Sequence, residues 1–319
     1  MVLLKSILAA LALLVLPSVS MAAEHEQADA THGQIATAGG RSEPQEGLPA
    51  AAPRIQIGPF SVTNSMIMTW VVAVAIIVFV QIATKNIQAV PDGAQNFLEW
   101  LVEELFGFLE GIIGRELVSK TFWFFATVFI FILFTNWFGL LPGVGTIGWG
   151  VPDPDGHLHH ISQPLLRGVN ADLNMTLAMA MVFFVCWTVW ALQANGPGGF
   201  ILHLFGPKGD TTGLLKVLMV LVFIVVGVLE VVSILFRPVS LSFRLYGNIF
   251  AGENMLEAMA NLIKEPAWLK AVGSVVIPVP FYFLEVLVGL VQALVFMLLT
   301  AVFTLLICTH DEGHEKAHH

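Results

Sequence analysis

The chain has 319 residues, 56% of them hydrophobic and only 12% charged, with a net charge of −9 at pH 7 and a mean hydropathy of +0.81. Soluble globular domains carry about 25% charged residues, so composition excludes a soluble enzyme, and the absence of any basic patch excludes a nucleic-acid partner. Apolar runs of about 20 residues, long enough to cross about 30 Å of hydrocarbon, and the lack of strand-like alternation leave an all-α polytopic membrane protein in contact with membrane lipid.

Residues 1–22, MVLLKSILAALALLVLPSVSMA, have an early lysine, a short apolar core and a small-x-small site at Ser20-Met21-Ala22, which reads as a secretory signal peptide. An uncleaved short anchor is the alternative. Either way the polar segment 23–59, rich in Ala, Gly, Glu and Gln, faces the outside (the periplasm in a bacterium) and is expected to have little structure of its own. A membrane domain spans 60–308. Its first span is placed at 66–83. The next segment, 94–117, sets Phe97, Leu101, Leu105, Phe108 and Ile112 near helical spacing with Glu99, Glu103 and Glu110 opposite. That pattern predicts an amphipathic helix at an interface.

The second span is expected at 122–141. A periplasmic loop follows over 142–172, containing DPDGHLHH (153–160), whose residue types suit a metal but whose spacing matches no structural site. The third span covers 174–192 and ends in NGPGG. From Leu214 to Cys308 the chain is nearly all apolar, with breaks at Pro238, around 264–270 and at Pro278/Pro280. Hydropathy permits three pieces, 214–236, 238–262 and 281–308, or a merger of the first two into one bent helix of about 49 residues and roughly 70 Å. The tail 309–319 is His-rich and expected to be flexible. Cys186 and Cys308 lie in apolar runs and read as packing residues.

Charge at the centre of a spanning helix costs about 2.5–3.5 kcal/mol on insertion scales. The last block nevertheless carries Glu230, Arg237, Arg244, Glu253, Glu257 and Glu285, which must face protein, water or one another. Glu230, Arg237 and Arg244 are seven apart and share a helical stripe that Asn248 rejoins, and Glu285 and Gln292 are likewise seven apart. Glu253, nine residues past Arg244, falls about 180° round the helix. For Arg237 a snorkel to an interface and a functional role stand equally open, and Glu257 is expected to mark a solvated end. Arg244 has no carboxylate at i±3 or i±4, and an intramembrane arginine is a functional-site candidate by default.

At this point three segments in order, ADLNMTLAMA (171–180), LEVVSILFRPVSLSFRLYGNIFAGENML (229–256) and LVQALVFMLLTAVF (290–303), resemble subunit a of the F-type ATP synthase membrane sector. The resemblance runs from about residue 60 to the tail. It implies about five membrane-embedded helices, the last two a long tilted hairpin packed against a ring of c subunits, with a b-subunit peripheral stalk as a further partner. It also implies a bacterial inner-membrane location, with the N-terminus periplasmic and the C-terminus cytoplasmic.

Arg244 matches the family's essential arginine, which faces the ring between two aqueous half-channels. Asn248, Glu253 and Gln292 match polar positions near it, and Glu230 an acid on the cytoplasmic route. Where many relatives divide a histidine and an acid between the positions of Glu253 and Glu285, this chain has two glutamates, so two carboxylates sharing a proton replace a histidine relay. The translocated ion is H⁺, or Na⁺ if the partner ring selects it. No cofactor, metal or catalytic residue is implied. The alternative is a self-contained secondary transporter with a charged midplane site, which calls for an internal repeat that the sequence does not display.

Overall fold

The computed structural model describes residues 54–57, 60–141, 144–145, 147–149, 163–205, 214–263 and 266–308, by backbone alone at 54–57, 60–61, 149, 163–164, 203, 214–221 and 267. The expected signal peptide, most of the polar segment 23–59, the 153–160 metal candidate and the His-rich tail lie outside the described residues.

The first described element is a strand, β1 (Arg54–Ile57), paired antiparallel with β2 (Phe60–Thr63). β1 falls in the segment expected to lack structure; the alternation of RIQI and FSVT about Gly58-Pro59 was its signal. Thr63 ends β2 and caps helix α1 (Asn64–Ala83), its side chain accepting from the Met66 N–H. On α1 a stripe at Met68, Val72, Ile76 and Val80 is buried, while Trp70, Val74, Val78 and Ile82 are exposed. Exposed aliphatic residues on a helix this apolar are a lipid-facing surface.

Helix α2 (Gly93–Ile113) starts at the Asp92 cap and stops at Gly114, whose φ of 78° suits glycine and turns the chain directly into α3 (Arg115–Gly139). The buried residues of α2 are Gln95, Leu105, Leu109 and Ile113. Phe97 and Phe108 are exposed, so the inward stripe is rotated from the expected one. Leu109, not counted in that face, is the most enclosed position of the helix. α3 is the hub of the bundle: Phe124, Phe125, Phe131 and Ile132 are fully enclosed, and it packs against α1, α2 and the last helix.

Two short strands, β3 (Gly148–Trp149) and β4 (Gln163–Pro164), pair antiparallel. A buried 3₁₀ turn, Val169–Ala171, then delivers the chain to α4 (Leu173–Phe205). α4 is longer than the expected span because helix resumes beyond a kink at Gly196 (φ 67°), immediately before Pro197.

The last block resolves into α5 (Leu214–Ala260), α6 (Ala267–Val276) and α7 (Val279–Cys308). Of the two partitions hydropathy permitted, the merged one is realised. α5 has 47 residues and carries Pro238 in its interior, giving a rod of about 70 Å at 1.5 Å per residue, more than twice the hydrocarbon thickness. Loss of one backbone hydrogen bond at Pro238 is tolerated because the ring is buried on the packed side of the helix. Five helices among the described residues are long and apolar enough to cross a membrane, and the protein is an all-α polytopic membrane protein. α7 lies along α3, and α5 lies along α4.

Candidate functional site

Burial along the middle of α5 divides sharply by face. Ile234, Leu241, Ser242, Leu245, Ile249 and Leu256 are buried, one stripe at three- and four-residue spacing that packs on the bundle. The other face, at Phe243, Arg244, Gly247, Asn248, Ala251 and Met255, is exposed. Arg244 therefore stands on an open apolar surface and has no hydrogen-bond or ion-pair partner among the described residues. Gly247 beside it has open space where a β-carbon would be.

Asn248 and Gln292 connect that face to the interior. Asn248 Nδ2 donates to Gln292 Oε1 at 2.6 Å, and Gln292 is buried on α7. Seven residues before it Glu285, also buried, lays its carboxylate directly against Gly252 of α5. A β-carbon at Gly252 would overlap that carboxylate, so only glycine lets the two helices present it there.

Glu253 points elsewhere. Its Oε1 occupies the space a β-carbon of Gly168 would need, and its Oε2 is buried without a hydrogen-bond partner among the described residues. Glu253 nevertheless interacts electrostatically with Glu285, Glu257 and Arg167. The two glutamates thus belong to one charge cluster, each seated against a different glycine. Glu257, expected at a solvated end, has a buried unpartnered Oε2 and belongs to the same cluster.

Glu230 and Arg237 form an ion pair, Arg237 Nη2 donating to Glu230 Oε1 at 3.1 Å. Arg237 does not snorkel outward. Its guanidinium lies over the rings of Phe303 (4.6 Å) and Trp187 (5.6 Å), tying α5 to α7 and α4 through cation–π contacts.

Several polar residues of this interior were not singled out by sequence reasoning. Asn170 Nδ2 donates to Thr135 Oγ1 (2.9 Å) and Asn136 Oδ1 (2.6 Å). Asn136 Nδ2 in turn donates to the Gly289 carbonyl at 3.0 Å. Asp172 accepts from Ser65 Oγ at 2.5 Å and from the Asn174 N–H. Arg167, 1% exposed, is the largest fully enclosed side chain among the described residues. The sequence signal for these was the density of Arg, Asn and Asp in RGVNADLN, immediately before a spanning helix, where such residues are read by habit as loop. Among the described residues no group of His, Cys, Asp or Glu could hold a metal, and Cys186 and Cys308 are free thiols.

Five apolar spans, with amides and carboxylates buried between the helices and an exposed arginine on one of them, define a polytopic membrane protein. Residues 66–304 match the family described as ATP synthase A chain. The ATP synthase subunit a of Gloeobacter violaceus is 32% identical over 261 residues, covering 81% of this chain and 90% of the relative. That of Desulforamulus reducens is 32% identical over 253 residues, with 79% and 81% covered. That of Moorella thermoacetica is 28% identical over 258 residues, with 81% and 95% covered. The chain belongs to the ATP synthase A chain family, the same subunit that its motifs resemble.

Proposed function

We propose that this chain is the stationary ion-translocating subunit of an F-type ATP synthase, forming two half-channels that load and unload carboxylates on a rotating c-ring. A b-subunit stalk anchors it, and the nucleotide chemistry belongs to other subunits. The observation that carries the reading is the placement of Arg244: exposed and unpaired on α5, with acids at different depths on either side of it. Because α5 is one continuous helix, Glu253 lies about 14 Å from Arg244 along the axis, and Glu230 about 21 Å away in the opposite direction.

The chemistry follows from the residue types. A guanidinium stays protonated at all accessible pH, so Arg244 cannot relay a proton and blocks a direct leak between the two sides. It attracts an arriving ring carboxylate and favours loss of its proton toward the Glu230 end. Moving on, the carboxylate is reprotonated from the Glu253/Glu285 end, with Asn248 and Gln292 bridging toward the ring face. Each charge carried through the membrane potential gains about 2.3 kcal/mol per 100 mV, which rotation captures. Five spans with a periplasmic N-terminus put the C-terminus in the cytoplasm. Lys208, between the third and fourth spans, and Lys216, in the first turn of α5, agree with that orientation.

In inverted vesicles carrying the complete complex, Arg244→Ala is expected to abolish ATP-driven proton pumping while nucleotide hydrolysis continues, and Arg244→Lys is expected not to restore it. Fully coupled pumping by the alanine variant contradicts the reading.

A further inference from the structure

Arg167 lies outside the path from Glu253 to Glu230, and its surroundings are unusual. It is 1% exposed, and none of its guanidinium nitrogens has a hydrogen-bond acceptor among the described residues. The guanidinium carries five N–H donors and cannot be neutralised. A charge buried in that way is costly unless water and a counter-charge satisfy it.

Two independent contacts show what it faces. Its Cζ lies 5.9 Å from the centre of the Phe250 ring on α5. Gly168, the next residue, receives the carboxylate of Glu253, one turn beyond Phe250. The guanidinium and that carboxylate interact electrostatically without forming an ion pair within contact distance. Among the described residues the Oε2 atoms of Glu253 and Glu257 and, on the 3₁₀ turn, the Oδ1 of Asn170 are likewise buried without a hydrogen-bond partner. Buried donors and buried acceptors that are left without direct partners are the conditions under which bridging water is retained.

Resting on the proposed function above, we propose that Arg167 is a positioning residue of the outer proton path: across a hydrated chamber it holds Glu253 as the ionised acceptor between proton arrivals. The remaining charged groups on the elements around the chamber are accounted for. Glu285 lies against Gly252, and the Asp172 oxygens are taken by Ser65 and the Asn174 N–H. Arg244 is on the opposite face of α5. Arg167 is therefore the cation that faces Glu253 among the described residues.

The test is ATP synthesis by the complete complex in proteoliposomes under a fixed imposed potential, with pH varied only in the compartment on the Glu253 side. A carboxyl that loses a neighbouring cation keeps its proton to higher pH by about one unit or more. Arg167→Gln is expected to move the midpoint of the rate profile upward by about one unit, and Arg167→Lys to return it toward the parent value. Arg167→Met, which leaves no buried donors to satisfy, carries the same expected shift if the glutamine variant fails to assemble. In a Glu253→Gln background the same changes should leave the midpoint where it is.

A lower rate with an unmoved midpoint in both Arg167→Gln and Arg167→Met overturns the proposal and leaves Arg167 a structural residue. A shift that persists without Glu253 overturns it as well. Loss of pumping in Arg244→Ala is read separately, so failure here is distinguishable from failure of the proposed function.

Discussion

Two glycines decide where the acids of the interior point. Gly252 accommodates the Glu285 carboxylate and Gly168 that of Glu253; in each case a methyl group would occupy the space of a carboxylate oxygen. Gly252→Ala is expected to displace Glu285 and slow ATP-driven proton transport several-fold while the complex still assembles, measured by vesicle acidification against subunit content. Glu253→Gln and Glu285→Gln should each slow transport, and the double change should be worse than either alone; normal flux in the double variant removes the carboxylate pair from the path. At this scale Arg244 was legible from the sequence, because an unpaired charge in an apolar helix has few explanations. Arg167 was not, since nothing in linear spacing brings a loop residue at 167 beside one at 253; only the 3₁₀ turn packed on α5 does so.

The length of α5 was the element that hydropathy left open. Pro238 is the usual mark of a helix boundary, and what overrides it is packing: Ile234, Pro238, Leu241 and Leu245 form one buried stripe across the proline. Next to it Arg237 is held between Glu230, Phe303 and Trp187. This clamp joins three helices at the point where one backbone hydrogen bond is missing. Replacing Arg237 by methionine keeps the apolar bulk and removes the cation–π contacts, worth about 2 kcal/mol when desolvated. The expected result is a lower melting temperature of the purified membrane sector, with Arg237→Lys intermediate because an ammonium lacks the planar stacking surface. An unchanged melting temperature would show that α5 is held by its buried stripe alone. For α2 the periodicity of apolar residues revealed the helix but not its rotation. Its large aromatics Phe97 and Phe108 are exposed while Leu109 is enclosed, since lipid accepts aromatic side chains that water would drive inward.

For the whole molecule, the first three spans were readable from apolar length, and the family, with its count of about five, from three motif segments. The tertiary arrangement was not, because in lipid the hydrophobic effect does not distinguish inside from outside. Polar contacts carry the packing specificity instead, such as Asn136 on Gly289, Trp137 on Val286 and Trp187 on Phe303. They leave one long face of α5 uncovered, and the proposed function requires that face to meet the ring. With Cys186 and Cys308 replaced by serine, Gly247→Cys and Ala251→Cys should each form a disulfide with a cysteine placed beside the ring's ion-carrying carboxylate in the assembled membrane sector. Leu245→Cys and Ile249→Cys, on the buried stripe, should not. Cross-linking from 245 and 249 in place of 247 and 251 would contradict the central claim, since Arg244 would then face away from the ring.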